Sequence, residues 1–267
     1  MGKVKYFILL ALLWPAFFYG LNIALGLGVQ PLAGKITVAI GGISPTLAAL
    51  LLLFRYAGRE ERADFFRRIW DPKQISWAQL TIIVLLPLAV LLAGIGLAQL
   101  MGSTEATFQI ESSLFPQWWS VIPLALFILF LGPIPEEIGW RGYLLDGLTP
   151  RMPGWKASLI VAIVWSLWHV PLFFIEGYPL REKLGDPAAL ALYFALLFPM
   201  SQVYTWVFYR TGRSILAAIL FHFFINFFGT LWEADVMTDL ISLIFWMVVA
   251  LSLIGAYPDI FRKPISK

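Results

Sequence analysis

The chain has no cysteine, which excludes disulfides, thiol nucleophiles, zinc–thiolate centres and iron–sulfur clusters. It has only two histidines, His169 and His222. Charged residues are scarce as well, at 13% of the chain where a soluble globular protein carries about 25%. Set beside 60% hydrophobic residues and a mean hydropathy of +0.81, that scarcity excludes an ordinary soluble domain. The composition is that of an integral membrane protein, with the lipid bilayer as its first partner. A net charge of +3 could suggest a polyanion. The basic residues, however, are gathered in loops between apolar runs, which fits membrane orientation better than nucleic-acid binding, so no nucleic-acid partner is expected.

Apolar stretches long enough to cross the hydrocarbon layer fall near Tyr6–Leu27, Ile36–Phe54, Trp77–Met101, Trp118–Ile134, Ala157–Ile175, Ala188–Tyr209, Ser214–Gly229 and Leu240–Tyr257. The expected fold is therefore all-α, a polytopic membrane helical bundle of about eight transmembrane helices with no internal repeat. Lys3 and Lys5 before the first run resemble a signal peptide, but no small-residue cleavage site follows, and the run reads as the first span. With the N-terminus in the cytosol, 16 of the 19 basic residues fall on the cytosolic side and only Lys35, Arg181 and Lys183 on the other. That bias predicts an N-in, C-in topology. The loops 102–117 and 230–239 carry Glu105, Glu111, Glu233, Asp235 and Asp239 without a basic residue. Between Arg55 and Gln74, charges alternate with Phe65, Phe66, Ile69 and Trp70, so this stretch reads either as a short amphipathic helix in the headgroup region or as a solvated loop.

Ionisable groups inside spans cost roughly 3 kcal/mol each and by default mark a functional site. In PIPEEIGWRGYLL, Glu136 and Glu137 follow Pro133 and Pro135, which are expected to bend the backbone. Glu137 and Arg141 are four residues apart with the acid first, the favourable order for an ion pair. Glu136 is turned about 100° away around the helix, so it cannot use the same geometry equally well. The pattern divides the labour: Arg141 neutralises Glu137, which is structural, and Glu136 is left as a base. His169, His222 and Asn226, the last one turn from His222 on the same face, lie roughly 13–20 Å below the cytosolic ends of their helices, and Glu136 at a similar depth. Similar depths on three helices are what one shared site requires.

A carboxylate and an imidazole sharing a water can turn it into a nucleophile, while a second imidazole and an amide, His222 and Asn226, can donate to the oxyanion formed on a carbonyl. Zinc held by the two histidines and a carboxylate is a competing use of the same atoms, although the helical H-E-x-x-H signature is missing. A hydrogen-bonded core in a non-enzymatic membrane scaffold or immunity factor, or the proton relay of a transporter, would also use buried Glu and His. Paired broken helices, common in transporters, are not apparent.

Three motifs in order, E-E-x-x-x-R (Glu136, Glu137, Arg141), aromatic-x-x-x-H (Trp165, His169) and H-x-x-x-N (His222, Asn226), resemble those of the CAAX prenyl protease and bacteriocin-processing (Abi) family. Its eukaryotic member is the type II CAAX prenyl endopeptidase of the endoplasmic reticulum. The resemblance implies a glutamate-type intramembrane endopeptidase with no cofactor. Glu136 and His169 would activate water, His222 and Asn226 would stabilise the oxyanion, and Glu137, Arg141 and Trp165 would support them. It covers 118–229, leaving 1–117 as N-terminal helices with a cytosolic amphipathic loop and 230–267 as a last helix and tail. Trp165 departs from the family's usual phenylalanine, so the pocket shape is expected to differ. The implied substrate is a lipidated protein or a membrane-associated peptide, and the implied location is the cell membrane of a prokaryote or the endoplasmic-reticulum membrane of a eukaryote. Nothing in the sequence specifies an oligomeric state.

Overall fold

The structure is a computed structural model that describes residues 2–110, 117–232 and 234–265; Glu111 and Glu233 lie outside the described residues. Every regular element among the described residues is helical. In chain order the α-helices are α1 (Gly2–Ala24), α2 (Leu32–Gly42), α3 (Ser44–Tyr56), α4 (Arg59–Trp70), α5 (Trp77–Leu100), α6 (Val121–Leu131), α7 (Pro133–Gly139), α8 (Asp146–Leu148), α9 (Gly154–His169), α10 (Pro187–Arg210), α11 (Ile215–Leu231), α12 (Val236–Ala256) and α13 (Pro258–Phe261). Short polar residues at the span entrances start the long helices by accepting orphan backbone N–H groups. Ser76 caps α5 in a reciprocal box with Gln79, Asp186 caps α10, Ser214 caps α11 and Asp235 caps α12.

Among the described residues, six segments are long and apolar enough to cross a membrane: Gly2–Ala24, Trp77–Leu100, Val121–Leu148, Gly154–Phe174, Pro187–Arg210 and Val236–Ala256. The protein is thus a multi-pass membrane helical bundle. Two of the eight expected spans differ from a simple crossing. The second is a pair of helices, α2 and α3, bent by 45° at Ile43, and the seventh, α11, is an apolar helix of 17 residues. The fourth extends well past Ile134, because the helix resumes after its break and continues to Leu148.

The loops grouped by the charge bias also lie together in space. At one pole Lys3 reaches the Tyr56 carbonyl, Gln79 reaches the Arg210 carbonyl, and the Ile265 amide reaches the Thr149 carbonyl. At the other, the Val29 amide bonds the Glu176 carbonyl and Lys183 pairs with Asp239 at 3.4 Å. The stretch 55–74 holds α4, a 12-residue helix, so the helical alternative is the one adopted there. Its Phe65 and Ile69 are buried in the protein core, while Trp70 is 65% exposed. An ion-pair cluster ties this helix down. Arg68 contacts Asp64 at 3.0 Å and Asp146 at 3.6 Å, and Arg213 contacts Asp146 at 2.6 Å.

Candidate active site

The α6 helix stops at Gly132 and a new helix starts at once with Pro133 in its first turn, where a missing N–H costs nothing. The two prolines therefore begin α7 rather than kink a continuous span. The Glu136 amide closes the first turn onto the Gly132 carbonyl at 3.1 Å, and both glutamates are buried. A wide π turn over Trp140–Leu145 carries the helix on into α8. Such turns are rare and concentrate at functional sites. The sequence shows no sign of it.

α3 braces this segment from outside the stretch in which the motifs lie. A Cβ on Gly139 would fall 2.4 Å from the Pro45 Cβ and 2.6 Å from the Pro45 backbone, so only glycine permits the approach. Thr46 donates to the Pro135 carbonyl at 2.7 Å. Trp168 donates to Ser44 at 2.9 Å, and Ser44 donates to the Ala11 carbonyl at 3.0 Å, so α1, α3 and α9 are joined at the same level. Ser44 and Thr46 carry no sequence signal: small polar residues in an apolar run acquire meaning only from their neighbours.

Arg141 donates through Nη1 to both carboxylate oxygens of Glu137, at 2.7 and 2.9 Å. This is the ion pair expected from their spacing. His222 also binds Glu137, with Nδ1 2.8 Å from Oε1, so Glu137 serves two partners rather than one. The side chains of Arg141 and Glu137 are wholly buried, and Nε and Nη2 of Arg141 have no hydrogen-bond partner. Aromatic faces compensate in part. The guanidinium lies 3.8 Å from the Tyr204 ring centre and 4.7 Å from that of Trp165, both within cation–π range. Tyr204 is one of many aromatics in its span and was undistinguished in the sequence.

Glu136 has different company. Its Oε2 accepts a 2.6 Å hydrogen bond from the Trp165 indole. Its Oε1 faces the space beside Gly132, where a Cβ would lie 3.8 Å from that oxygen and 3.5 Å from Asn226 Nδ2. Without a side chain on Gly132, the carboxylate and the amide lie beside the same backbone position. His169 Nδ1 lies 2.8 Å from the Trp165 carbonyl. A carbonyl only accepts, so Nδ1 carries the hydrogen and Nε2 keeps a lone pair. For His222, an Nδ1–H given to Glu137 leaves Nε2 able to donate only when the ring is protonated. Both imidazoles pack against the Trp165 ring, with centres at 5.8 Å for His169 and 5.5 Å for His222.

The structure thus brings Glu136, Glu137, Arg141, Trp165, His169 and His222 into one buried cluster, with Asn226 at its edge beside Gly132. One carboxylate holds both Arg141 and His222, and the other accepts a neutral indole N–H. Among the described residues, no group of three His, Asp or Glu side chains is arranged to hold a metal ion. An apolar groove of about 550 Å³ between α9, α10 and α12, lined in part by Trp155, Gln202 and Arg262, includes none of the cluster.

Comparison with known proteins gives this cluster a context. The model of the family described as type II CAAX prenyl endopeptidase Rce1-like matches residues 117–228, which contain all seven side chains. CAAX prenyl protease 2 of Methanococcus maripaludis is 34% identical over 187 residues, which is 70% of this chain and 68% of that protein. The similarity reaches beyond the motif-bearing segment into the flanking helices, and it decides against the scaffold and transporter readings. The chain belongs to the CAAX prenyl protease family and is a multi-pass membrane endopeptidase.

Proposed function

We propose that the protein hydrolyses a peptide bond by a glutamate-type mechanism at the cytosolic side of the membrane, and that its substrate is the C-terminal segment of a prenylated CAAX protein. The observation that carries this reading is the unequal treatment of two adjacent glutamates. Glu137 is held by Arg141 and His222, while Glu136 has one oxygen on Trp165 and the other beside Gly132 near the Asn226 amide. The name of the archaeal relative supports the prenylated class over other membrane-associated peptides.

In this mechanism Glu136, with His169 Nε2 as the second acceptor, removes a proton from a water molecule. The oxygen attacks the scissile carbonyl carbon, and the carbonyl becomes an oxyanion that accepts hydrogen bonds from Asn226 Nδ2 and from Nε2 of His222 with its ring in the protonated form. Collapse breaks the C–N bond, and the proton held by the Glu136–His169 pair goes to the departing amine. The products are a new carboxylate and a free amine, with no covalent enzyme intermediate. The core 118–229 supplies this chemistry, and the flanking helices hold it at depth within eight crossings whose N- and C-terminal ends are cytosolic.

The test is cleavage of internally quenched CAAX peptides, prenylated and unprenylated, by the protein in liposomes, with and without a chelator. Prenyl-dependent cleavage that survives the chelator and falls by roughly 10²- to 10⁴-fold in Glu136→Gln is the expected result. Full activity of a folded Glu136→Gln variant would overturn the mechanism, and loss of cleavage with the chelator would favour a metal-dependent one.

A further inference from the structure

Trp165 contacts more members of the cluster than any other side chain described here. Its indole N–H donates to Glu136 Oε2 at 2.6 Å and its main-chain carbonyl accepts from His169 Nδ1 at 2.8 Å. Its ring meets both imidazoles and lies under the Arg141 guanidinium. The indole is itself held, with the Tyr204 ring edge-on at 5.8 Å and 85°, and only 2% of the residue is exposed.

We propose that Trp165 is the positioning residue for both halves of the water-activating pair, which deepens the glutamate-type reading and rests on it. Each contact has a separate consequence. The indole is a pure donor, so the Glu136 oxygen it holds stays an acceptor, and the hydrogen bond to a carboxylate is charge-assisted. Occupying Oε2 turns Oε1 toward the space shared with Asn226. The main-chain carbonyl sets the His169 tautomer, so the lone pair sits on Nε2, away from the helix. The helix geometry supports this second contact: α9 ends at His169, Pro171 follows in a 3-10 turn, and the imidazole folds back by four residues onto the last full turn. A phenylalanine at this position could supply the ring contacts and the carbonyl, but not the donor to Glu136.

The experiment removes only the N–H. Trp165→Phe and a semisynthetic protein with benzothienylalanine at position 165, which replaces N–H by sulfur and keeps the bicyclic shape, are compared with the wild type in liposomes. For both, kcat falls by roughly 10- to 100-fold, the size of a lost charge-assisted hydrogen bond, while KM and thermal stability stay at wild-type values. An unchanged kcat, or a loss of kcat that follows a loss of thermal stability, overturns the proposal and leaves Trp165 as a packing residue. Glu136→Gln, assayed alongside, separates the two failures. If it is inactive while Trp165→Phe is unimpaired, only the positioning role is lost. If it is fully active, the glutamate-type reading fails and the positioning role fails with it.

Discussion

Arg141 is a full positive charge with no solvent exposure, inside a segment read as crossing the membrane. Burial of this kind is tolerated because Glu137 neutralises it and Tyr204 and Trp165 offer it their ring faces. Removing one partner of a buried pair costs more than removing both, since the remaining charge is stranded. Arg141→Ala is therefore expected to destabilise the protein by about 3–5 kcal/mol, read from thermal unfolding in detergent. The double variant Glu137→Leu/Arg141→Met recovers much of that stability. It does not recover activity, because His222 loses the acceptor that fixes its Nδ1. Stability and activity thus separate at this pair. The Glu137–Arg141 contact was legible from four-residue spacing alone. The second claim on Glu137, by His222, was not, since 85 residues separate them and only the packing of α7 against α11 brings them together.

Among the elements, α4 shows how charge placement can anchor a helix that the hydrocarbon cannot hold. Its ends are charged, its core-facing side presents Phe65, Arg68 and Ile69, and a Cβ at Gly142 in the π turn would lie 3.3 Å from the Phe65 ring. The helix therefore rests on the continuation of the segment that carries both glutamates. Asp64 organises the attachment. Partial burial disfavours its ionised form, but the hydrogen bond from Arg67 and the charges of Arg68 and Arg213 outweigh that, and they hold its carboxyl below the usual range. Because the folded-state value is depressed, the stability it contributes is complete above the unfolded value, about 4, and is lost as pH falls through the lower folded one. Amide exchange across 59–70 should therefore stay slow at pH 5 and rise once pH drops below about 4, with Asp64→Asn already fast at pH 5. Exchange that is independent of pH, after correction for the intrinsic rate, would show that Asp64 does not hold this helix. The amphipathic pattern of α4 was readable in the sequence. That Phe65 and Ile69 pack into the protein, with Phe65 close to Gly142, was not.

At the scale of the whole molecule, contacts between helix ends group the loops at two poles. Among the described residues, the basic side chains Lys35, Arg181 and Lys183 belong to the loops that include the Val29–Glu176 and Lys183–Asp239 contacts. The absence of cysteine makes the proposed orientation directly testable. Single cysteines at Glu60 and Glu182, both exposed, are expected to react with an impermeant maleimide from opposite faces of sealed vesicles, Glu60→Cys only when the cytosolic face is outward. Labelling of both from one face would overturn the alternating path. The six long spans, the bent α2–α3 pair and the short α11 together place the cluster, and α3 braces it through Pro45 and Thr46.

Composition and pattern by themselves determined that this is a helical membrane protein and that Glu136, Glu137, Arg141, His169 and His222 lie inside apolar segments. These are one-dimensional properties: the cost of placing charge and bare backbone in hydrocarbon acts on each segment wherever the others lie. Spacing of four residues likewise determined the Glu137–Arg141 pair, because a helix makes it local. Only the tertiary structure decided the π turn after Gly139, the stacking of Tyr204 on Arg141 and the sharing of Glu137 with His222. It also decided that Trp165 touches both Glu136 and His169, one through its side chain and the other through its backbone. Each of these depends on which face of one helix meets which face of another, and that is set by close packing of side chains from distant parts of the chain.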